Sequence, residues 1–248
     1  MSTPTPRLRM FAGPNGSGKS TLKSYLTPNL LGVYLNPDEM EMEIRRQGFM
    51  DFSAYGIHAT EEEIRNFFTG SAFLKELGFA SEAAQLGFAI GRVNFGMVKV
   101  NSYFASVGAD FLRQKLLEQK ISFTFETVMS HFGKVDLLVQ AQAAGYRTYL
   151  YFVATDDPAI NISRVQNRVK LHGHDVPKDK IETRYYRSLD LLMDAIRHTN
   201  RAYIFDNSGD SADGRQTWLA EITEGKQLEL KTEQIPAWFK RAVLEKLG

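Results

Sequence analysis

A glycine-rich segment near the amino terminus has the residue types and spacing of a phosphate-binding loop. The segment FAGPNGSGKSTL, residues 11–22, contains the pattern G-x-x-x-x-G-K-[ST]. Gly13, Gly16 and Gly18 let backbone N–H groups turn inward, where side chains would block a phosphate. Lys19 adds a positive charge for the β- and γ-phosphates, and Ser20 adds a hydroxyl for Mg²⁺. The loop therefore predicts binding of ATP with Mg²⁺, and its further contacts would come from Asn15, Ser17 and Thr21.

Two acidic residues follow predicted strands and could take part in phosphoryl transfer. Asp38 comes just after the predicted strand 32–36 and could orient or deprotonate an acceptor hydroxyl, or it could cap the helix that follows. Glu126 ends the predicted strand 121–126 and could either position the magnesium ion or hold the substrate. Ligands collect at the carboxyl ends of parallel strands, so both residues would face the crevice that contains the loop.

Four arginines flank the segment LHGHDVPKDK, residues 171–180: Arg164, Arg168, Arg184 and Arg187. They could close over ATP and neutralise the transferred phosphate, or they could lie on solvated helix faces. Arg164 and Arg168 are one helical turn apart and share a face.

The same segment contains three potential metal ligands: His172, His174 and Asp175. No further histidine or cysteine stands nearby at ligand spacing, so a closed zinc site is not expected.

Strands alternate with helices along most of the chain. Apolar runs predict strands at 7–12, 32–36, 121–126, 147–155 and 201–206, and helical spacing predicts helices at 19–26, directly after the glycine loop, and at 38–48, 109–120, 134–146, 158–170 and 178–199. This alternation predicts an α/β fold, a P-loop NTPase of kinase type with a doubly wound, mostly parallel sheet flanked by helices. We expect one domain, 1–248, with a helical insertion at about 49–105 and a C-terminal hairpin plus helix at about 215–248.

Composition narrows the class of protein. Of 248 residues, 43% are apolar, the formal net charge is +1 and there is no cysteine. The balanced charge gives no strong field for nucleic acid or a membrane surface, and neither is expected as a partner. The polar amino terminus lacks the apolar core of a signal peptide, and we expect a cytoplasmic protein.

The remaining motifs favour a small-molecule kinase among P-loop proteins. The chain has neither the N-K-x-D element of guanine-binding proteins nor the L-S-G-G-Q element of transporter ATPases. The segment DNSG, 206–209, matches D-x-x-G but follows the last predicted strand of the parallel sheet, the wrong place for a γ-phosphate sensor. There, Asp206 and Asn207 could shape the adenine end of the site. Two alternatives stay open: an ATPase that drives a conformational or assembly step with a protein partner, and a non-catalytic ATP-binding module.

Several segments together resemble zeta-toxin-like P-loop kinases. They occur in the family's order over most of residues 8–208, apart from the insertion, and are GPNGSGKST, NPD, FTFETVMS, AGYRTYLYFVA, NISRVQNR, HGHDVPKDKIETRYYRSL and AYIFDNS. The resemblance implies a kinase that uses ATP and Mg²⁺. It also implies that the phosphate acceptor is a hydroxyl group, and a nucleotide sugar such as UDP-N-acetylglucosamine is the favoured acceptor. A protein antitoxin is a possible partner.

The resemblance also implies roles for individual residues. Lys19 and Ser20 match the pair in the loop, and Asp38 matches the carboxylate that activates the acceptor hydroxyl. Glu126 matches an acidic residue near the substrate, followed by Thr127. Arg168 and Arg184 resemble the two arginines that embrace the transferred phosphate, with Arg164 as the competitor for the first role.

Overall fold

A computed structural model describes residues 4–171, 175–209 and 216–247. The chain divides into two compact units: the first consists of Met1–Gly32 and Phe123–Gly248, and the second of Val33–Ser122. Within the described ranges, no helix is long and apolar enough to cross a bilayer.

The elements follow in chain order. The first unit begins with β1 (Arg7–Ala12), a 3-10 helix (Lys19–Tyr25) and α1 (Pro28–Leu31). The second unit contains β2 (Val33–Leu35), α2 (Pro37–Gln47), β3 (Phe49–Asp51), a 3-10 turn (Ser53–Tyr55), α3 (Glu61–Gly70), α4 (Ala72–Glu76), α5 (Ala80–Ala84), β4 (Gly87–Ala89), β5 (Arg92–Asn94) and α6 (Ser102–Glu118). The first unit resumes with β6 (Phe123–Thr127), α7 (Gly133–Ala143), β7 (Arg147–Ala154), α8 (Pro158–Lys170), α9 (Lys178–Asp190), α10 (Leu192–Arg197), β8 (Arg201–Asp206), β9 (Thr217–Thr223), β10 (Gln227–Leu230), α11 (Ala237–Ala242) and a 3-10 turn (Leu244–Lys246).

A mostly parallel sheet forms the centre of the first unit. Its strands run in the order β10-β9-β8-β7-β1-β6. Strands β6, β1, β7 and β8 are parallel neighbours, whereas β9 and β10 pair antiparallel at one side. The predicted α/β fold with a mostly parallel sheet is therefore confirmed, together with the C-terminal hairpin.

The two faces of this sheet differ in chemistry because successive side chains of a strand point to opposite sides. On one face Leu8, Met10, Phe152 and Ile204 are fully buried, and the Phe152 ring contacts that of Trp238 on α11. Each such apolar side chain contributes about 1.5–3 kcal/mol by leaving water. The opposite face of β1, β7 and β8 carries arginines and tyrosines, and many of them are partly exposed.

The second unit is largely helical, as predicted for the insertion, but it also contains a small antiparallel sheet. Its strand order is β3-β5-β4, and each strand has three residues. The long helix α6 lies close to this sheet, because a Cβ at Gly108 would lie 2.4 Å from the Met50 sulfur. These strands were not predicted from the sequence, because three residues are too few to show a period of two.

Other boundaries differ in detail from the prediction. The helix predicted over 178–199 is two helices, α9 and α10, that meet at Leu191. The helical segment after the glycine loop is a 3-10 helix of seven residues. The predicted C-terminal helix ends at Ala242 and is followed by a short 3-10 turn.

Candidate active site

The glycine-rich loop lies at the carboxyl edge of the parallel sheet in the first unit. It connects β1 to the 3-10 helix, so the predicted strand–loop–helix order is present. Ala12, the last residue of β1, pairs with Thr127 on one side and Phe152 on the other. The ends of β6 and β7 therefore flank the loop, the position at which α/β sheets bind ligands.

Two glycines of the loop are required by close packing as well as by backbone conformation. Gly13 has φ +142°, and a Cβ there would lie 2.0 Å from the Val153 carbonyl oxygen. Gly16 has φ +76°, and a Cβ there would lie 2.5 Å from the Asn161 carbonyl oxygen. Real Cβ atoms do not approach a carbonyl oxygen so closely, so strand β7 and helix α8 leave room only for glycine at these two positions.

The Lys19 ammonium lies against the beginning of the loop. Its Nζ donates hydrogen bonds to the carbonyl oxygens of Gly13 at 2.8 Å and Pro14 at 2.9 Å. These two hydrogen bonds to neutral carbonyl oxygens hold the ammonium beside the loop.

Ser20 and Glu126 come together from sequence positions 106 residues apart. The Ser20 hydroxyl donates to Glu126 Oε2 at 3.4 Å, and the glutamate is buried, with 8% of its surface exposed. Glu126 belongs to β6 and pairs in register with Phe11 of β1. A hydroxyl beside a carboxylate is an all-oxygen donor set of the kind that Mg²⁺ prefers, so these two residues fit the ion.

One side of the loop is held by a residue that the sequence analysis did not identify. Asn161 of α8 is fully buried, and its Nδ2 donates to the carbonyl oxygen of Asn15 at 2.6 Å. Its Oδ1 accepts a hydrogen bond from Thr155 Oγ1, and the Tyr185 hydroxyl donates to the Thr155 carbonyl oxygen at 2.6 Å. Burial raises the pKa of the Tyr185 phenol, which keeps it a donor. An asparagine at a core position of a helix is the only sequence signal for this contact.

The other side of the loop is held by residues after β8. The Asn207 side-chain amide donates to the Ser17 carbonyl oxygen at 2.8 Å, and the backbone carbonyl oxygen of Asn207 accepts a hydrogen bond from Arg164 Nη1 at 2.7 Å. The Gln216 amide, also not predicted, donates to the Gly18 carbonyl oxygen and to Thr21 Oγ1, both at 2.8 Å. These contacts stabilise the loop backbone.

Two buried polar atoms within the loop have no hydrogen-bond partner in the described part of the chain: Asn15 Oδ1 and Ser17 Oγ. A buried polar group without a partner is costly and calls for a ligand or water. The Ser17 hydroxyl can donate to a phosphate oxygen, whereas Asn15 Oδ1 only accepts and fits a donor such as water.

The Asp206 carboxylate accepts a hydrogen bond from the C-terminal helix α11. Its Oδ1 accepts hydrogen bonds from Trp238 Nε1 and Ser208 Oγ, both at 2.7 Å, and its Oδ2 accepts from the Ser208 N–H at 3.0 Å. The carboxylate thus fixes α11 to the end of β8. A contact of Asp206 with adenine stays a prediction.

The remaining predicted residues of the first unit lie on β6, α8 and α9. The Thr127 hydroxyl accepts a hydrogen bond from the N–H of Met129, which is buried at φ +55°, so Thr127 supports a tight turn. Arg168 on α8 is exposed, whereas Arg184 on α9 is half-buried. Arg164 donates a hydrogen bond to the backbone carbonyl oxygen of Asn207.

Asp38 lies in the second unit, as the second residue of α2. The alternative that it caps this helix is wrong, because the cap is Asn36. The Asn36 Oδ1 accepts hydrogen bonds from the N–H groups of Asp38 at 3.0 Å and Glu39 at 3.4 Å. The Asp38 carboxylate is exposed and is not used as the cap.

The segment with potential metal ligands cannot be compared in full, because His172 and His174 lie outside the described residues. Within the described ranges, no group of three or more histidine, aspartate and glutamate side chains could hold a metal ion.

Comparison with known proteins supports the resemblance drawn from the motifs. The sequence model of the zeta toxin family matches residues 98–213, a range that includes Glu126 and the arginines of α8 and α9 but not the glycine loop. An uncharacterized protein of Haemophilus influenzae is 23% identical over 177 residues, which are 71% of this chain and 89% of that protein.

Solved structures share the fold. A toxin–antitoxin structure described as the PezAT system of Streptococcus pneumoniae is 14% identical, has a TM-score of 0.52 and aligns over 99% of this chain and 79% of its own. A complex of AvrRxo1-ORF1 with AvrRxo1-ORF2, crystallised with sulphate ions, is 14% identical with a TM-score of 0.54. That alignment covers 92% of this chain, which spans 62% of the AvrRxo1 chain; a structure of the same complex was determined with ATP. The zeta-toxin-like resemblance is therefore confirmed, and the solved structures share its fold.

Proposed function

We propose that this zeta-toxin-like chain is an ATP-dependent kinase that transfers the γ-phosphate to a hydroxyl of a small molecule. The favoured acceptor is a nucleotide sugar such as UDP-N-acetylglucosamine. The observation that carries the proposal is the hydrogen bond between Ser20 and Glu126. The Ser20 hydroxyl, at the end of the glycine-rich motif, lies 3.4 Å from Glu126 Oε2. This pairing combines a phosphate-binding loop with the oxygen ligands that a nucleotide-bound Mg²⁺ requires.

The residues of the loop bind and orient ATP. Backbone N–H groups of the loop and the Lys19 ammonium contact the β- and γ-phosphates. The Ser20 hydroxyl and the Glu126 carboxylate would hold Mg²⁺, which would neutralise charge on the phosphates. Asn161 and Asn207 keep the loop backbone in the shape that receives the phosphates.

The acceptor side of the reaction is assigned from the resemblance. Asp38 takes the proton from the attacking hydroxyl as that hydroxyl attacks the γ-phosphorus, and the bond from this phosphorus to the bridging oxygen of ADP breaks. Arg168 and Arg184 stabilise the negative charge on the transferred group. Thr127 contacts the acceptor near Glu126.

A protein antitoxin is proposed as an inhibitory partner. The support is that two structural neighbours are described as a toxin–antitoxin system and as a two-protein complex.

The test is to follow labelled γ-phosphate from ATP in the presence of Mg²⁺. Three acceptors are compared: UDP-N-acetylglucosamine, a mixed metabolite extract and water alone. The proposal predicts label on the nucleotide sugar, lost in Asp38→Asn and retained in Glu43→Gln, a matched carboxylate on the exposed part of the same helix. Label on another metabolite would keep the kinase and discard the sugar. Label found only in inorganic phosphate, and unchanged in Asp38→Asn, would replace the kinase with an ATPase.

A further inference from the structure

The C-terminal helix α11 is fixed to the carboxyl edge of the first unit's sheet through Trp238. This side chain is 1% exposed, and its ring centroid lies 6.1 Å from that of Phe152 on β7. Its Nε1 donates a hydrogen bond to Asp206 Oδ1 at 2.7 Å, and its backbone N–H donates to Asp156 Oδ1 at 3.2 Å. One buried residue therefore joins α11 to the segment that follows β7 and to the end of β8.

Asp206 begins a short turn that is closed by hydrogen bonds; we call residues 206–208 the β8 turn. The Asp206 carboxylate accepts from the Ser208 N–H at 3.0 Å and from Ser208 Oγ at 2.7 Å. Ser208 Oγ also accepts from the Asp156 N–H at 2.8 Å. The Trp238 indole is therefore a third donor to the carboxylate that closes this turn.

The middle residue of the β8 turn contacts the glycine loop. The backbone of Asn207 is held on both sides: its N–H donates to the Ala154 carbonyl oxygen at 2.8 Å, and its carbonyl oxygen accepts from Arg164 Nη1 at 2.7 Å. The Asn207 Nδ2 donates to the Ser17 carbonyl oxygen at 2.8 Å. A Cβ at Gly18 would lie 2.5 Å from this Nδ2, so the Asn207 side chain packs tightly against the loop.

The hydrogen bond to Ser17 orients a peptide unit of the glycine loop. The Ser17 carbonyl and the Gly18 N–H belong to the same planar peptide, so a donor that fixes the carbonyl also sets the direction of the N–H. Backbone N–H groups are the donors with which such a loop binds phosphate oxygens. Two hydrogen bonds and one peptide link thus connect the Trp238 indole to the backbone of the loop.

Packing alone does not require the indole N–H of Trp238. A phenylalanine at this position would keep an aromatic ring beside Phe152, but it would lose a hydrogen bond to a carboxylate, which is stronger than one to a neutral acceptor. The other tryptophan of the chain, Trp218, donates its Nε1 to the Ala220 carbonyl oxygen at 3.1 Å, within its own strand β9. The two tryptophans therefore offer a matched comparison of one indole N–H bound to the β8 turn and one bound to β9.

We propose that Trp238 is a positioning residue for the nucleotide: through the β8 turn it fixes the Ser17–Gly18 peptide and so raises the affinity for ATP. This inference rests on the proposed binding of ATP by the glycine loop, and it extends the nucleotide site to the C-terminal helix. Loss of the indole hydrogen bond lets the Asp206 carboxylate and its turn shift, and Asn207 then holds the loop less firmly. Because coupling between two sites is reciprocal, bound ATP in turn restrains Trp238.

The test compares dissociation constants for ATP, measured by calorimetric titration in the presence of Mg²⁺. The key variant, Trp238→Phe, removes the indole N–H and keeps an aromatic ring, and Trp218→Phe is its matched control. Asn207→Ala and the double variant of Trp238→Phe with Asn207→Ala complete a double-mutant cycle. Urea unfolding identifies a temperature at which every variant is folded.

Trp238→Phe should raise the dissociation constant for ATP about fivefold or more, and Trp218→Phe should change it less than about twofold. The double variant should bind ATP about as weakly as Asn207→Ala alone, because the coupling passes through that side chain. Wild-type affinity in Trp238→Phe, an equal loss in the control, or fully additive effects in the cycle would overturn this inference alone. Failure of the wild-type protein to bind ATP would overturn the proposed function as well.

A second measurement leaves Trp238 in place and so does not depend on the folding of Trp238→Phe. The chain has two tryptophans, so Trp218→Phe makes Trp238 the only source of indole fluorescence. Saturating ATP should change this emission, and Asn207→Ala in the same background should abolish the change at saturating ATP. Emission that stays constant at an ATP concentration at which calorimetry shows binding would contradict the coupling.

Discussion

The Asn161 side chain reaches across from helix α8 to the glycine loop and donates to the Asn15 carbonyl oxygen at 2.6 Å. The two residues are 146 positions apart in the sequence. A fully buried amide that satisfies a loop carbonyl fixes that peptide plane, and with it the direction of neighbouring N–H groups that would face a phosphate. A residue outside the glycine-rich motif therefore helps to fix the conformation of the loop.

Replacing this amide should weaken nucleotide binding and stability together. Asn161→Ala leaves the Asn15 carbonyl without its partner and removes one of two acceptors of the Thr155 hydroxyl, and we expect a loss of about 1–3 kcal/mol in unfolding free energy. The affinity for ATP should fall as the loop loosens. Urea unfolding and calorimetric titration with ATP measure the two effects. Asn167→Ala, an exposed asparagine on the same helix, should change neither, and an equal effect there would contradict a specific role for Asn161.

Glu126 and Ser20 should together set the Mg²⁺ concentration that phosphoryl transfer requires. Glu126→Gln removes the charge and keeps the shape, whereas Ser20→Ala removes the hydroxyl. Each change should raise the Mg²⁺ concentration needed for half-maximal phosphoryl transfer by about tenfold or more, and the double variant should be less than additive because the groups are neighbours. A magnesium titration of the labelled-phosphate assay measures this. Fully additive effects would mean that the two groups act separately.

Two glycines with positive φ should respond very differently to alanine. Gly13→Ala places a Cβ 2.0 Å from the Val153 carbonyl oxygen, and the backbone must shift to relieve the overlap. Gly48 also has a positive φ, +78° against +142° at Gly13, but no atom lies within 4 Å of a Cβ placed there. We expect Gly48→Ala to cost about 1–2 kcal/mol from conformation alone, and Gly13→Ala to cost clearly more and to abolish ATP binding. Thermal unfolding of both variants distinguishes steric overlap from strain, and equal costs would rule out the overlap.

Alkaline pH should destabilise the protein through a buried tyrosine. Burial raises the pKa of Tyr146 to about 12, from about 10 in an unfolded chain. Between these values the folded state holds a proton that the unfolded state has lost, so the unfolding free energy falls as pH rises. One such group contributes at most about 1.4 kcal/mol per pH unit. Tyr146→Phe should therefore reduce the slope of stability against pH from about 10 to 12; an unchanged slope would contradict this assignment.

Much of the fold followed from local patterns. The glycine loop, the strands over 147–154 and 201–206 and the hairpin over 217–230 were predicted because each pattern acts over a few residues, through backbone conformation and side-chain alternation. The stop of α2 at Gly48 was predicted for the same reason, since a left-handed residue ends a helix locally.

Contacts between distant segments followed only from the tertiary structure. The small sheet of the second unit consists of strands too short for a pattern. Asn161, Asn207 and Gln216 hold the loop from three other segments, and nothing in their own sequence neighbourhoods requires this.

The sequence by itself determined that a phosphate-binding loop follows the first strand, because glycine spacing and a lysine are sufficient to specify that loop. The tertiary structure decided which groups surround it: the Glu126 carboxylate beside Ser20, the amides that hold the loop, and the Trp238 indole that holds the turn after β8. The physical reason is that strand register and helix packing set distances between residues over a hundred positions apart, and these depend on the whole core rather than on any short segment.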